Sequence, residues 1–242
     1  MRSSAREPLL LAIESAVAPG VALLRGEEVL AQRACSHPAA ETLLPAIAAL
    51  LAERELAIAD VDAFAISIGP GSFTGLRVGL ATLKGLALGT ARPAVAVPTL
   101  AALAQEAPAG EGAVVAALDA RRGEVYAAAF DAPGGDALAW LPEGVYRAST
   151  LCAALRAPCR VVGDGAALVA DAVRTAFGGA VSLHPDCAPG AAAVGRLGAR
   201  ALAAGAGVDP ASLVPRYVRR AEAEVRRTGE RVEAGAADET SA

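Results

Sequence analysis

The chain has 242 residues, of which 54% are hydrophobic, and its formal net charge is −4. The length and apolar content allow one large domain or two small ones, and the negative charge argues against a chain that binds nucleic acid by its own positive surface. No apolar run reaches the roughly 18–20 residues of a spanning helix, and residues 1–8 lack the layout of a signal peptide, so we expect a cytoplasmic protein without a membrane anchor.

Apolar runs of strand length alternate with helical patterns, which is typical of α/β architecture. In the first part of the chain, the predicted strands are 8–13, 20–24, 28–33, 62–68 and 94–97. The predicted helices there are 39–55, 74–89 and 99–105. Gly26 and Glu27 form the turn between the second and third strands, so the first three strands are predicted to form a meander.

The pattern restarts after a linker-like segment at 107–112. Ala117-Leu118-Asp119-Ala120 echoes Ala12-Ile13-Glu14-Ser15, and residues 161–165 echo 67–71. The two echoes indicate an internal duplication, and chance similarity between short apolar strands is the alternative. Duplicated β-β-β-α-β-α-β units resemble the layout of the actin and sugar-kinase superfamily. The predicted domains are an N-terminal lobe, a smaller C-terminal lobe and a disordered charged tail, at 1–106, 107–221 and 222–242.

A glycine-rich turn joins the strand at 62–68 to the helix at 74–89. Glycine permits positive φ and close approach, and Ser72 or Thr74 is a candidate N-cap beside unpaired N–H groups that favour an anion. The turn could cradle a phosphate, but a tight junction without a ligand is the favoured interpretation of a glycine turn alone. Candidate nucleotide-contacting residues are Gly69, Gly71, Ser72, Thr74 and Gly75.

Few other residues could carry chemistry. Glu14 and Asp119 end predicted strands, where acids in the actin superfamily help to hold Mg²⁺ through water. The favoured interpretation is that both side chains cap turns and stay solvated. His37 is the one histidine near Glu41, and a single histidine there is too few to form a metal site. No nucleophile set stands out, and the four cysteines form no C-x-x-C pair, so we expect free thiols, no catalytic residues and no metal ligands.

The pattern G-P-G-S-F-T-G-L-R-x-G-x-x-x-x-K-G at 69–85 strongly resembles the TsaB (YeaZ) family. The segment D-A-R-x-G-E-V-Y at 119–126 and the ending P-x-Y-x-R at 215–219 extend the resemblance. The chain departs from the family at Glu14, where relatives usually carry Asp, and at Ala39, where they often carry His.

The resemblance implies an α/β, actin-like (ASKHA, ribonuclease H-like) duplicated fold, with two lobes that each have a mixed sheet flanked by helices. It implies a non-catalytic subunit with a degenerate nucleotide cleft. Such a subunit binds and activates a TsaD-like transferase, which threonylcarbamoylates the adenosine 3′ of the anticodon in tRNAs that read codons starting with A. A TsaE-like ATPase joins the pair, tRNA is contacted only through the complex, and the free chain can form a homodimer. The chain needs no cofactor of its own, and a place for ATP or ADP at the subunit interface is left open.

The helix at 74–89 is apolar around most of its surface, so it is expected to be covered on most faces. Its cover could be the helix at 39–55 or another subunit, and the resemblance implies a four-helix interface built from both helices. The hypothesis assigns the partner interface to Leu43, Ile47, Leu50, Leu76, Leu80 and Leu83. It predicts that Leu80→Glu abolishes the complex and leaves the fold intact.

The competing interpretation is an enzyme, a small-molecule kinase of the actin superfamily. It would use Gly69–Gly75 as a phosphate loop, with a second loop at 163–165 and a working acid at Glu14. A peptidase is the least supported class, because the metal ligands and the nucleophile set are missing from the sequence.

Overall fold

The computed structural model describes residues 6–88, 90–135 and 137–218. Contacts divide the chain into two compact units. The first consists of the residues up to Ala102 together with Pro189–Pro215, and the second consists of Leu103–Ala188 and the residues from Arg216 onward. Within the described residues, no helix is both long and apolar enough to cross a membrane.

The first unit contains a mixed five-stranded sheet with the order β3-β2-β1-β4-β5. β1 pairs antiparallel with β2 and parallel with β4, β2 pairs antiparallel with β3, and β4 pairs parallel with β5. The strands are β1 Leu9–Glu14, β2 Gly20–Arg25, β3 Glu28–Ala34, β4 Ala63–Ser67 and β5 Ala94–Val97. The helices that follow them in sequence are α1 Ala39–Ala52, α2 Phe73–Ala87 and α3 Thr99–Ala104.

The second unit repeats this topology. Its sheet has the order β10-β9-β6-β7-β8, with the unit's first strand again in the centre, antiparallel strands on one side and parallel strands on the other. The strands are β6 Ala113–Arg121, β7 Glu124–Phe130, β8 Gly144–Arg147, β9 Cys159–Val162 and β10 Val181–His184. The helices are α4 Ala148–Ala154 and α5 Ala166–Phe177. The duplicated actin-like α/β fold predicted from the sequence is confirmed.

β1 shows why the first sheet needs cover on both faces, since all six of its residues are buried. Successive side chains of a strand point to opposite faces. Leu9, Leu11 and Ile13 pack into the cluster that includes α1 and α2, whereas Leu10 and Ala12 pack into a cluster with the last helix, α6 Ala191–Ala203.

The placement of α6 corrects the predicted domain boundaries. Residues 107–221 were assigned to the second lobe, but Pro189–Pro215 belongs to the first unit, where α6 packs against β1, β2, β4 and β5. Small residues allow this close contact, because a Cβ on Gly198 would lie 2.5 Å from the Cβ of Ala65. The predicted tail at 222–242 lies outside the described residues.

Several elements differ locally from the predicted ones. β8 was not predicted, although β5, which is also a four-residue strand at the edge of its sheet, was. α2 ends at Ala87 rather than at residue 89, and Gly89 itself is outside the described residues.

Candidate functional site

The glycine loop between β4 and α2 is the site that the sequence singled out, and its first function is to begin a helix. The Ser72 hydroxyl accepts a hydrogen bond from the Gly75 N–H at 3.1 Å, so Ser72 is the N-cap of α2. Thr74 lies within the first turn and is exposed. Of the two predicted caps, Ser72 is confirmed and Thr74 is not.

The backbone of the loop is tied to its neighbours on both sides. The Ser72 N–H donates to the carbonyl oxygen of Ala16 at 2.7 Å. The Thr99 N–H donates to the carbonyl oxygen of Gly69 at 2.8 Å, and the Gly69 N–H donates to the Thr99 hydroxyl at 3.1 Å. The loop is therefore held against the segment after β1 and against the start of α3.

The glycines permit this close packing. A Cβ on Gly71 would lie 2.6 Å from the carbonyl oxygen of Ala16, and one on Gly75 would lie 2.0 Å from the carbonyl oxygen of Ser15. Real Cβ contacts are essentially never this short, so both positions require glycine for space. These contacts support the interpretation of the loop as a tight junction. Binding of a nucleotide to Gly69, Gly71, Ser72, Thr74 and Gly75 stays a prediction.

Gly75→Ala should destabilise the protein, because the new methyl group must displace the backbone at Ser15. Overpacking of this kind typically costs about 1–3 kcal/mol. Gly85→Ala is the matched control, since Gly85 lies in the same helix and a Cβ there meets nothing within 4 Å. It should stabilise the protein by about 0.5–1 kcal/mol through helix propensity. Urea unfolding of both variants measures the difference, and equal effects would contradict the packing argument.

Glu14 at the end of β1 is fully buried and caps a turn. Its Oε1 accepts hydrogen bonds from the N–H groups of Ala16 at 2.7 Å and Val17 at 2.8 Å. Its Oε2 has no partner among the described residues. Burial raises the pKa of Glu14 to about 7, and hydrogen bonds from Ser67 and from the turn lower it only in part.

Asp119 at the corresponding position of the second unit also caps a turn. Its Oδ1 accepts from the Arg121 N–H at 2.6 Å, and its own N–H donates to Oδ1 of Asp164 at 2.8 Å. The capping of turns by Glu14 and Asp119 is confirmed, but the expectation that both side chains stay solvated is wrong for Glu14, which is buried. His37 and Glu41 are exposed, and across the ranges that the structure describes no three His, Cys, Asp or Glu side chains are grouped to hold a metal ion.

The predicted partner interface requires a correction. All six residues assigned to it are at most 4% exposed: Leu43, Ile47, Leu50, Leu76, Leu80 and Leu83. Five of them belong to the core cluster that α1 and α2 form with the first sheet. Because a partner can contact only exposed atoms, these six side chains hold the helices in place and do not form a contact surface.

One set of exposed positions on α1 and α2 lies between the buried ones, at intervals of three or four residues. We call this set the outer helical face, and it consists of Ala40, Leu44, Ala48, Arg77, Ala81, Gly85 and, just after α2, Leu88. The other exposed residues of the two helices are Glu41, Pro45, Ala52, Phe73 and Thr74. Leu44 is 52% exposed and Leu88, just after α2, is 83% exposed. Large apolar side chains among small residues allow another helix to approach closely, which is a typical property of an interaction surface.

Comparison with known proteins points to one family. The family model described as TsaD: tRNA N6-adenosine threonylcarbamoyltransferase matches residues 30–226. The tRNA threonylcarbamoyladenosine biosynthesis protein TsaB of Escherichia coli (strain K12) is 41% identical over 125 residues, which are 50% of this chain and 54% of that protein. The TsaB protein of Haemophilus influenzae is 43% identical over 121 residues, 48% of this chain and 51% of that protein. The matched segment thus spans about half the length of these curated relatives.

The solved structures match over nearly the whole of their length. YeaZ from Pseudomonas aeruginosa aligns with a TM-score of 0.70 and 31% identity, over 87% of this chain and 99% of that chain. A crystal structure described as an uncharacterized protein with similarity to peptidase YEAZ from Pseudomonas aeruginosa aligns with a TM-score of 0.75 and 32% identity, over 88% and 100% of the two chains.

Proposed function

Because this chain belongs to the TsaB (YeaZ) family, we propose that it acts in the biosynthesis of tRNA threonylcarbamoyladenosine, as a non-catalytic subunit that binds and activates a TsaD-like transferase. The names of the curated relatives support the pathway. The observation that carries the subunit assignment is the outer helical face, an exposed surface on two packed helices that consists of alanine, glycine and leucine with one arginine, Arg77.

The composition of α1 supports an accessory subunit rather than the transferase itself. In the TsaD relatives implied by the resemblance, two histidines four residues apart on the corresponding helix bind a metal. α1 contains no histidine, and Glu41 is its only charged residue. A helix with this composition is suited to packing against another apolar helix, because it has few polar groups to desolvate.

The proposed interface is the outer helical face, not the six buried residues. Leu44, Ala48, Ala81, Gly85 and Leu88 are its central positions, and the same surface serves self-association when the transferase is absent. A TsaE-like ATPase and tRNA, contacted through the complex, are the further proposed partners. ATP or ADP at the subunit interface stays a proposal that rests on the resemblance alone.

Leu44→Glu should weaken the complex with the same organism's TsaD-like transferase by at least about 100-fold, because it places a charge at the centre of an apolar contact. Leu168→Glu is the matched control, since Leu168 on α5 is 42% exposed but lies outside the outer helical face. Affinity is measured by titration, and stoichiometry by size-exclusion chromatography with light scattering.

The wild-type chain should form a one-to-one complex, and Leu168→Glu should retain it. If Leu44→Glu and Ala81→Glu both bind as tightly as the wild type, the outer helical face is not the interface. If the wild-type chain forms no complex, even with ATP and the TsaE-like ATPase, the subunit proposal is wrong. Saturable ATP binding by the isolated chain with turnover on a small acceptor would then favour the kinase alternative.

A further inference from the structure

A buried arginine in the second unit has no ion-pair partner among the residues that the structure describes. Arg160 on β9 is only 6% exposed. Its Nη1 and Nη2 donate to the backbone carbonyl oxygens of Pro108 and Gly112, each at 2.8 Å. These bonds use two of the five N–H donors of a guanidinium, and Nε has no hydrogen-bond partner in the described part of the chain.

The charge of this guanidinium is not neutralised by the groups around it. No carboxylate of the described residues forms an ion pair with Arg160. Removing an ion from water is expensive unless an opposite charge compensates it, and carbonyl dipoles supply hydrogen bonds but no net charge. A buried arginine of this kind has unused capacity to bind an anion, and guanidinium groups recognise carboxylates and phosphates with geometric specificity.

Arg160 also lines a cleft of about 500 Å³. This volume lies within the range of small-molecule sites, about 300–1,000 Å³. Gly110 packs directly against the stem of the Arg160 side chain, since a Cβ there would lie 3.0 Å from Cδ and 3.6 Å from Nε of Arg160. The other lining residues are Pro108, Ala109, Glu111, Pro158, Cys159, Gly179, Ala180, Ser182 and His184.

Two further polar side chains stand beside Arg160 on the same sheet. Ser182 on β10 is the register partner of Arg160 on β9, and parallel neighbours present their side chains to the same face. His184 lies two residues further along β10, and its Nε2 is 3.1 Å from the Ser182 hydroxyl. The face therefore offers a guanidinium, a hydroxyl and an imidazole in a row.

The remaining ionisable groups of the cleft favour recognition over covalent chemistry. Burial raises the pKa of the Cys159 thiol to about 11, so the thiol is neutral at physiological pH and is no nucleophile. Glu111 is the one acid among the lining residues, and it is exposed.

We propose that this cleft binds a small molecule through an oxyanion, a phosphate or a carboxylate, which contacts the guanidinium of Arg160 together with Ser182 and His184. The site is independent of the outer helical face, since all of its residues belong to the second unit. None of its residues belongs to the glycine loop, which is part of the first unit.

The test uses the full-length chain and two probes, inorganic phosphate and acetate, titrated at constant ionic strength against sodium chloride. Amide shifts in the segment 109–112 and on β9 and β10 report binding. We expect saturable shifts with at least one probe, and the stronger probe identifies the anionic group of the ligand. Arg160→Met should weaken that binding by at least about tenfold, because it removes the charge-assisted hydrogen bonds.

Since Arg160→Met also removes the bonds to Pro108 and Gly112, a second variant keeps the proposal testable if it fails to fold. Ser182→Asp introduces a carboxylate at an exposed position beside Arg160, which should occupy the site and weaken probe binding at least tenfold as well. Ser149→Asp, at an exposed serine on α4, controls for net charge and should bind like the wild type. No saturable binding of either probe, or unchanged binding in Ser182→Asp, would overturn the proposal.

Discussion

Replacing Leu80 with glutamate should strongly destabilise the fold rather than detach a partner from an intact fold. Leu80 is 4% exposed and packs in the cluster between α2, α1 and the first sheet. The variant loses the burial of a leucine and places a carboxylate in an apolar environment, at a combined cost of at least about 4 kcal/mol. This cost is a large part of the 5–15 kcal/mol by which domains are typically stable.

Ala81→Glu introduces the same charge one residue further along α2, at an exposed position. Its free energy of unfolding should lie within about 0.5 kcal/mol of the wild type, as for other surface substitutions. Urea unfolding followed by circular dichroism compares the two variants. A Leu80→Glu variant as stable as Ala81→Glu would contradict the assignment of Leu80 to the core and would restore it as an interface residue.

Glu14→Gln should make the protein more stable at neutral and alkaline pH and change its stability little in acid. The pKa of Glu14 is raised from 4.5 to about 7 in the folded state. Below pH 4.5 the carboxyl is protonated in both states. As the pH rises, the unfolded state ionises first, so the free energy of unfolding falls until the folded carboxyl ionises near pH 7.

This pKa shift corresponds to a loss of at most about 3 kcal/mol in the free energy of unfolding at alkaline pH. Glutamine does not ionise, so the Glu14→Gln variant avoids this loss. The glutamine oxygen can still accept the hydrogen bonds from Ala16 and Val17. The measurement is the difference in unfolding free energy between variant and wild type from pH 4 to pH 8. If this difference does not grow with pH, the pKa of the buried Glu14 carboxyl is not raised.

The effect of pH on the stability contributed by Glu27 should be opposite in sign to that of Glu14. A hydrogen bond from Arg200 lowers the pKa of Glu27 in the folded state. The ionised Glu27 side chain therefore stabilises the folded protein above its unfolded-state pKa, and this stabilisation is lost as the pH falls. Glu27→Gln should therefore be slightly less stable than the wild type at neutral pH, with the difference vanishing in acid. Both side chains are about half exposed, so the effect should be much smaller than that of Glu14→Gln.

The sequence was sufficient to predict the strands and helices of the first unit and the duplication, but not β8 of the second unit. Strand and helix periods, turn glycines and the restart after 107–112 are local signals, and each is readable from a few neighbouring residues. The N-cap at Ser72 was predictable for the same reason, because a cap depends on residues within one turn.

What the sequence could not decide depends on residues that are distant in the chain. Leucine spacing on α2 predicts an apolar helix, but only the position of α1 and the first sheet decides that Leu76, Leu80 and Leu83 face inward. α6 follows the second unit in sequence yet packs on the first, a contact that no local pattern encodes. Glu14 ends a strand in the sequence pattern, but only the tertiary structure buries its carboxyl completely and thereby raises its pKa.

Local backbone and side-chain preferences thus determined the strands and helices and their order in the chain. The sequence motifs indicated the family. The tertiary structure alone decided which apolar side chains are exposed, why Gly71 and Gly75 must be glycine, and that Arg160 lies in a cleft without an ion-pair partner among the described residues. Exposure, close approach and desolvation are set by atoms from several segments at once, so they exist only after the chain has folded.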